Sequence, residues 1–155
     1  MNTEEMNTEK KSRAGIALII ILLLAMFGLG VAVTTKAGEE FQYRSFEEAL
    51  TLAGAENKLV MVFFWADWCV YCAKIRREVF SDPKIHEVFD RDFVAVSVDI
   101  ENDPGGLAKK YRARAMPTML FLKPDSEVLG MLPGAVDQET FLKILEYVVE
   151  NHKNS

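Results

Sequence analysis

Leu59-Val60-Met61-Val62-Phe63-Phe64-Trp65-Ala66-Asp67-Trp68-Cys69-Val70-Tyr71-Cys72 is the most informative run of the chain. Its first seven residues are apolar without a break and rich in β-branched and aromatic side chains. Such a run fits a central strand covered on both faces. After Ala66-Asp67-Trp68 a helical stretch extends to about Phe80. Cys69 and Cys72 therefore stand where strand gives way to helix, three residues apart in the first helical turn, close enough to bond to each other.

A helix N-terminus carries about half a positive charge and unpaired N–H groups. Both favour thiolate over thiol at Cys69, so its pKa is expected to fall below the ordinary thiol value. A thiolate is the nucleophile of disulfide exchange, and Cys72, one turn deeper, is placed to resolve the mixed disulfide. Three other uses of the pair are weaker. A structural disulfide closing so short a loop restricts the unfolded chain very little. A zinc site needs His86 and His152 as its other ligands, and these lie far apart in sequence, without paired ligand spacing. Two inert buried thiols sit badly with the flanking tryptophans and the helix start. No metal is expected, and the two histidines read as surface residues.

Working outward, Ser45-Phe46-Glu47-Glu48 is a capping-box pattern opening a helix to about Ala53. Asp82-Pro83 restarts a helix that runs to about Asp90 and leads into a second buried strand, Phe93–Asp99. Asn102 to Gly106 is a turn before a short helix ending near Tyr111. Pro117 precedes a strand over Thr118–Leu122, and a turn leads to another over Glu127–Leu132. Asp137 caps a last amphipathic helix with Phe141, Ile144, Leu145 and Val148 at helical spacing. The order α-β-α-α-β-α-β-β-α predicts an α/β fold, with parallel strands early and an antiparallel hairpin late.

Ahead of this lies Ala14 to Val33, twenty residues without a charge, long enough as a helix to span about 30 Å of hydrocarbon. Lys10, Lys11 and Arg13 precede it, a bias that places the N-terminus in the cytoplasm and the rest outside. The expected organisation is a cytoplasmic segment (1–13), a transmembrane signal anchor (14–33), a linker (34–42, with polar character to Arg44) and a folded domain (43–155). A cleaved signal peptide is the alternative, against which stand the length of the apolar run and a poor small-x-small site at Thr35 and Ala37. Residues 38–155 carry 20 acids against 14 bases, a balance that argues against nucleic-acid binding.

Trp65-Ala66-Asp67-Trp68-Cys69-Val70-Tyr71-Cys72 resembles the W-A-x-W-C-x-x-C signature of the thioredoxin superfamily. Met116-Pro117-Thr118 is similar to the cis-proline segment of that family, and Gly134-Ala135 to its glycine before the last helix. The runs Ala66 to Cys72 and Phe80 to Pro83 are especially similar to the C-terminal domain of the DsbD thiol:disulfide interchange proteins and related periplasmic thioredoxin-like proteins. The resemblance covers residues 43–150. It implies a thioredoxin fold, a central mixed sheet flanked by helices, here preceded by one N-terminal transmembrane helix. It also implies a cis peptide at Met116–Pro117, in a loop beside the cysteines that pairs with the substrate chain like an added strand.

Cys69 and Cys72 are the expected catalytic residues and redox disulfide; Trp68, Val70, Tyr71, Met116 and Pro117 are the expected substrate contacts. Trp68 is expected at the surface beside the nucleophile and Trp65 in the core. Tyr71 reads equally as a substrate-facing ring or as plain helix surface. Lys109 to Arg114 either raises the potential near Cys69 or forms a solvated helix face.

The resemblance also shows a departure. Thioredoxin has a buried acid six residues before its first cysteine and a lysine beside that acid; here the positions are Phe63 and Ser97. The proton of Cys72 is then left to water, a substrate group or an acid such as Asp67. Val70 and Tyr71 put no charge beside the nucleophile, so a moderately reducing couple is expected. The implied activity is that of an extracytoplasmic reductase or electron relay for protein disulfides, with no cofactor. It is re-reduced by a transmembrane thiol donor of the DsbD or CcdA kind, with cytochrome c maturation as one destination. A net oxidase or isomerase, or a redox-inactive chaperone or assembly factor, are the alternatives.

Overall fold

The computed structural model describes residues 41–153. In chain order these form β1 (Tyr43–Arg44), α1 (Phe46–Glu56), β2 (Leu59–Trp65), α2 (Val70–Glu78), α3 (Pro83–Asp92), β3 (Phe93–Asp99), α4 (Leu107–Lys110), β4 (Thr118–Leu122), β5 (Val128–Pro133) and α5 (Gln138–Lys153). The strands make one sheet in the order β1-β3-β2-β4-β5. β3 runs parallel to β1 and β2, while β4 is antiparallel to both β2 and β5, so the sheet is mixed, as expected.

The unbroken apolarity of β2 follows from its central place. Met61 and Phe63 face a core shared with Ile75 of α2, Phe89 of α3 and Phe141 of α5. Val60, Val62 and Phe64 face the other way, onto Phe46, Ala49 and Ala53 of α1. Side chains alternate across a strand, so a strand with helices on both faces has no solvent side to leave polar.

The helix ends are set by the residues the sequence pointed to. The Ser45 hydroxyl accepts from the Glu48 N–H while the Glu48 carboxylate accepts from the Ser45 N–H, a complete capping box. The Ser45 side-chain bond, then its backbone bond, holds the Glu48 carboxyl below the usual carboxylate range. Asp137 is lowered likewise, first by the Thr140 N–H and then by the Thr140 hydroxyl. A carboxyl with a depressed folded-state pKa contributes its full stability above the unfolded value and loses it as acidification passes the folded one. At α3, Asp82 Oδ1 accepts from the N–H groups of Lys84 at 2.8 Å and Ile85 at 3.4 Å. Asp82→Ala is expected to lower the unfolding free energy by about 1 kcal/mol, read as an earlier denaturation midpoint with an unchanged denaturant slope.

Several boundaries move. The polar linker read to Arg44 ends earlier, because Tyr43 and Arg44 pair with Ala95 and Val96 as an edge strand. Phe41, also assigned to the linker, is 7% exposed and stacks on Phe89 with ring centroids 4.1 Å apart. The final strand sits one residue later than expected, α2 stops at Glu78, and α3 continues to Asp92 with no intervening turn. His86 is not an ordinary surface residue: it is half-buried, with its ring 4.8 Å from that of Phe41. The expected membrane span at residues 14–33 lies outside the described residues, among which no helix is long and apolar enough to cross a membrane.

Candidate functional site

Three segments meet at one end of the sheet. β2 leaves it at Trp65, beside Asp99 of β3. Phe64 pairs with Thr118, so Met116 and Pro117 enter β4 at the end where β2 departs. Thr118 pairs with Pro133, which brings Gly134 to the same edge, and the Gly134 N–H donates to the Pro117 carbonyl at 2.7 Å. The Met116–Pro117 peptide is cis. Gly134 has φ +87°, in the left-handed region that glycine occupies at little cost.

Past Trp65 the chain turns, with the Cys69 N–H donating to the Ala66 carbonyl at 3.0 Å. Cys69 is the N-cap of α2, and its Sγ accepts from the Cys72 N–H at 3.1 Å. The sulfur thus stands where a capping oxygen would, against a backbone donor at the positive end of the helix. A disulfide joins Cys69 to Cys72, whose Cα atoms are 5.2 Å apart. Cys69 is 6% exposed and Cys72 only 2%, while Trp68, Val70 and Tyr71 are 64%, 78% and 65% exposed. The pair therefore lies under a platform of large apolar side chains turned to solvent. Met116 is half-buried and packs against the cluster that contains both cysteines, and Pro117 is buried.

Beside the platform a groove of about 790 Å³ runs between α2 and the start of α5, bordered by Tyr71, Lys74, Ala135 and Val136. A second cavity, of about 510 Å³, reaches both cysteines and is also bordered by Asp67, Arg76 and Phe80.

Phe63 and Ser97, expected at the positions of the acid and the lysine, are register partners in β2 and β3. Phe63 is fully buried, and the Trp65 indole N–H donates to Ser97 Oγ at 2.8 Å. Trp65 is half-buried rather than enclosed, and its ring lies under the Arg76 guanidinium, 4.1 Å from centroid to Cζ. Arg76 went unremarked in the sequence although its signal was there, four residues after Cys72 on the same helical face. The basic run Lys109 to Arg114 begins inside α4. Lys110 sits over the rings of Phe46 and Tyr111, on the sheet face that carries α1, so its charge is not aimed at Cys69.

The thioredoxin-like domain family matches residues 46–149. Over 92 residues the chain is 34% identical to the thiol:disulfide interchange protein DsbD of Salmonella typhi, an alignment spanning 54% of this chain and 16% of that protein. Curated relatives of this kind are thus several times longer than the part matched here. Among solved structures, a thioredoxin from Thermus thermophilus superposes with a TM-score of 0.64 at 34% identity, over 71% of this chain and 88% of that one. A candidate disulphide-isomerase from Bacteroides thetaiotaomicron has a TM-score of 0.64 at 38% identity, over 74% and 95% of the two chains. With its mixed sheet, its cysteine pair at the helix start and its cis-proline loop, the chain belongs to the thioredoxin-like domain family and is homologous to DsbD.

Proposed function

We propose that the protein is an extracytoplasmic thiol:disulfide oxidoreductase working as a reductase or electron relay on protein disulfides. The observation that supports this most is the Cys69–Cys72 disulfide at the start of α2, beneath exposed Trp68, Val70 and Tyr71. In the reduced protein the Cys69 thiolate attacks one sulfur of a substrate disulfide and expels the other as a thiolate. Sγ of Cys72 then attacks Sγ of Cys69, closing the intramolecular disulfide and releasing the second substrate thiolate. Two electrons pass to the substrate, and sulfur alone carries them. The substrate chain lies across Trp68, Val70 and Tyr71, with its backbone along Met116 and Pro117 as an added strand.

Because the compartment is oxidising, the closed disulfide is reopened by a transmembrane thiol donor of the DsbD or CcdA kind. The uncharged run Ala14 to Val33, with basic residues before it, supports a single-pass anchor in the cytoplasmic membrane with the folded domain on the outer side. Cytochrome c maturation is one process that consumes reduced thiols there.

Equilibration of the full-length chain with glutathione redox buffers tests the direction. Uncharged Val70 and Tyr71 lead us to expect a potential closer to about −270 mV than to about −120 mV; a value at the oxidising end overturns the reductase reading. The isomerase reading is favoured by the likeness to the Bacteroides protein. Recovery of native pairing in a scrambled substrate, without net electron input, would support it instead.

A further inference from the structure

The cavity that reaches both cysteines raises a question that exchange chemistry must answer: what makes Cys72 nucleophilic when Phe63 fills the place of the buried acid? Cys72 is 2% exposed and its core neighbours are hydrophobic, which raises the cost of its thiolate. Arg76 borders the same cavity. Residues four apart on a helix are neighbours, about 5–6 Å between Cβ atoms, and long helical side chains lean back toward the N-terminus. Arg76 and Cys72 therefore share one face of α2 and border one cavity.

Its guanidinium is seated on two aromatic faces, 4.1 Å from the Trp65 centroid and 5.4 Å from that of Phe63. Trp65 is itself pinned by its bond to Ser97. The aromatic seat excludes water from one side of the cation, so its field is screened less than that of a solvated charge. Other charged groups bordering the cavity are Asp67, from the turn after β2, and Arg77 of α2, whose Nη2 bonds Glu78 Oε1 at 2.8 Å. The strand residues and Phe80 facing it carry no charge.

We infer that Arg76 is a positioning residue for the resolving step, holding Cys72 Sγ as the thiolate that attacks Sγ of Cys69 in place of a buried carboxylate base. The inference rests on the exchange reading above. In that step the Cys69–substrate bond breaks, the Cys69–Cys72 bond forms, and the substrate sulfur leaves as a thiolate that takes a proton from water. The Cys72 proton goes to solvent in a prior equilibrium, which the cation shifts toward the ionised sulfur.

Two measurements on the full-length chain test this. In a Cys69→Ser background, thiolate absorbance reports Cys72 alone. Adding Arg76→Met is expected to move its titration midpoint up by about one pH unit, and Arg76→Lys to restore most of the difference. With both cysteines present, a midpoint one unit higher leaves a tenth of the thiolate, each about threefold more nucleophilic. Resolution of a mixed disulfide then slows by about three- to fourfold at neutral pH, and by less as the pH rises. Arg76→Gln repeats the test without the charge should the methionine variant fold poorly. Unchanged midpoints and resolution rates in the neutral variants overturn the inference while leaving exchange intact, and so does a lysine variant as slow as the methionine one. If the parent chain forms no mixed disulfide, the exchange reading itself falls, and this inference with it.

Discussion

Cys69→Ser is expected to abolish disulfide exchange, whereas Cys72→Ser should stop midway with a substrate covalently attached to Cys69. The asymmetry follows from position. Cys69 Sγ accepts an N–H at the helix start, where the backbone charge favours an ionised sulfur, and it lies next to exposed Trp68 and Val70. Cys72 is one turn deeper and 2% exposed, out of reach of a bulky partner but within bonding distance of its neighbour. Serine in place of Cys69 removes the attacking sulfur; the oxygen that replaces it is not ionised near neutrality. Serine in place of Cys72 leaves the first attack possible and removes the group that ends it. Non-reducing electrophoresis and mass spectrometry of adducts from the Cys72→Ser chain read the outcome and identify the trapped proteins. Adducts at Cys72 in the Cys69→Ser chain, at the level seen for the converse variant, would reverse the assignment of roles. Undiminished function in Cys69→Ser would favour a redox-inactive binding protein instead.

Phe80→Ala is expected to cost about 3–5 kcal/mol of folding free energy. Phe80 is 1% exposed, and its ring lies 4.9 Å from Phe41, 5.0 Å from Phe63 and 5.7 Å from Phe141. It thus joins the N-terminal edge of the described fold, the central strand and the last helix. Truncation removes contacts to all three at once, and the surrounding rings are too rigid to close the gap. A domain of this size has a total stability of roughly 5–15 kcal/mol, so the variant should melt roughly 15 °C lower. Thermal unfolding of the disulfide-closed protein checks this, and a loss below about 1 kcal/mol would mean the aromatic cluster collapses around the void. Because Phe80 also borders the cavity under the cysteines, its removal should speed alkylation of Cys72 in the reduced protein.

Much of this was legible in the residues. The seven apolar residues of β2 announced a strand covered on both sides, and Ser45, Asp82 and Asp137 announced three helix starts. These are local signals, governed by periodicity and by capping hydrogen bonds spanning three or four residues. What stayed hidden depends on tertiary packing. Tyr43 and Arg44 carry no strand pattern of their own and are extended because β3 offers an unpaired edge. Phe41 looks like one aromatic in a polar run until Phe80, His86 and Phe89 surround it. Arg76 shows only a charge at helical spacing; that the charge rests on Trp65 and Phe63 depends on how α2 crosses β2. The cis-proline loop and the cysteines are some forty-five residues apart in sequence. Only the likeness to a family placed them together before the strand register did.

The burial of Phe41 bears on how the folded part can be prepared by itself. A fragment begun at Tyr43 would retain every paired strand and still expose the faces of Phe80 and Phe89 that Phe41 covers. Such a fragment should bind hydrophobic dyes and be clipped by proteases near its new N-terminus, so the practical cut falls ahead of residue 41.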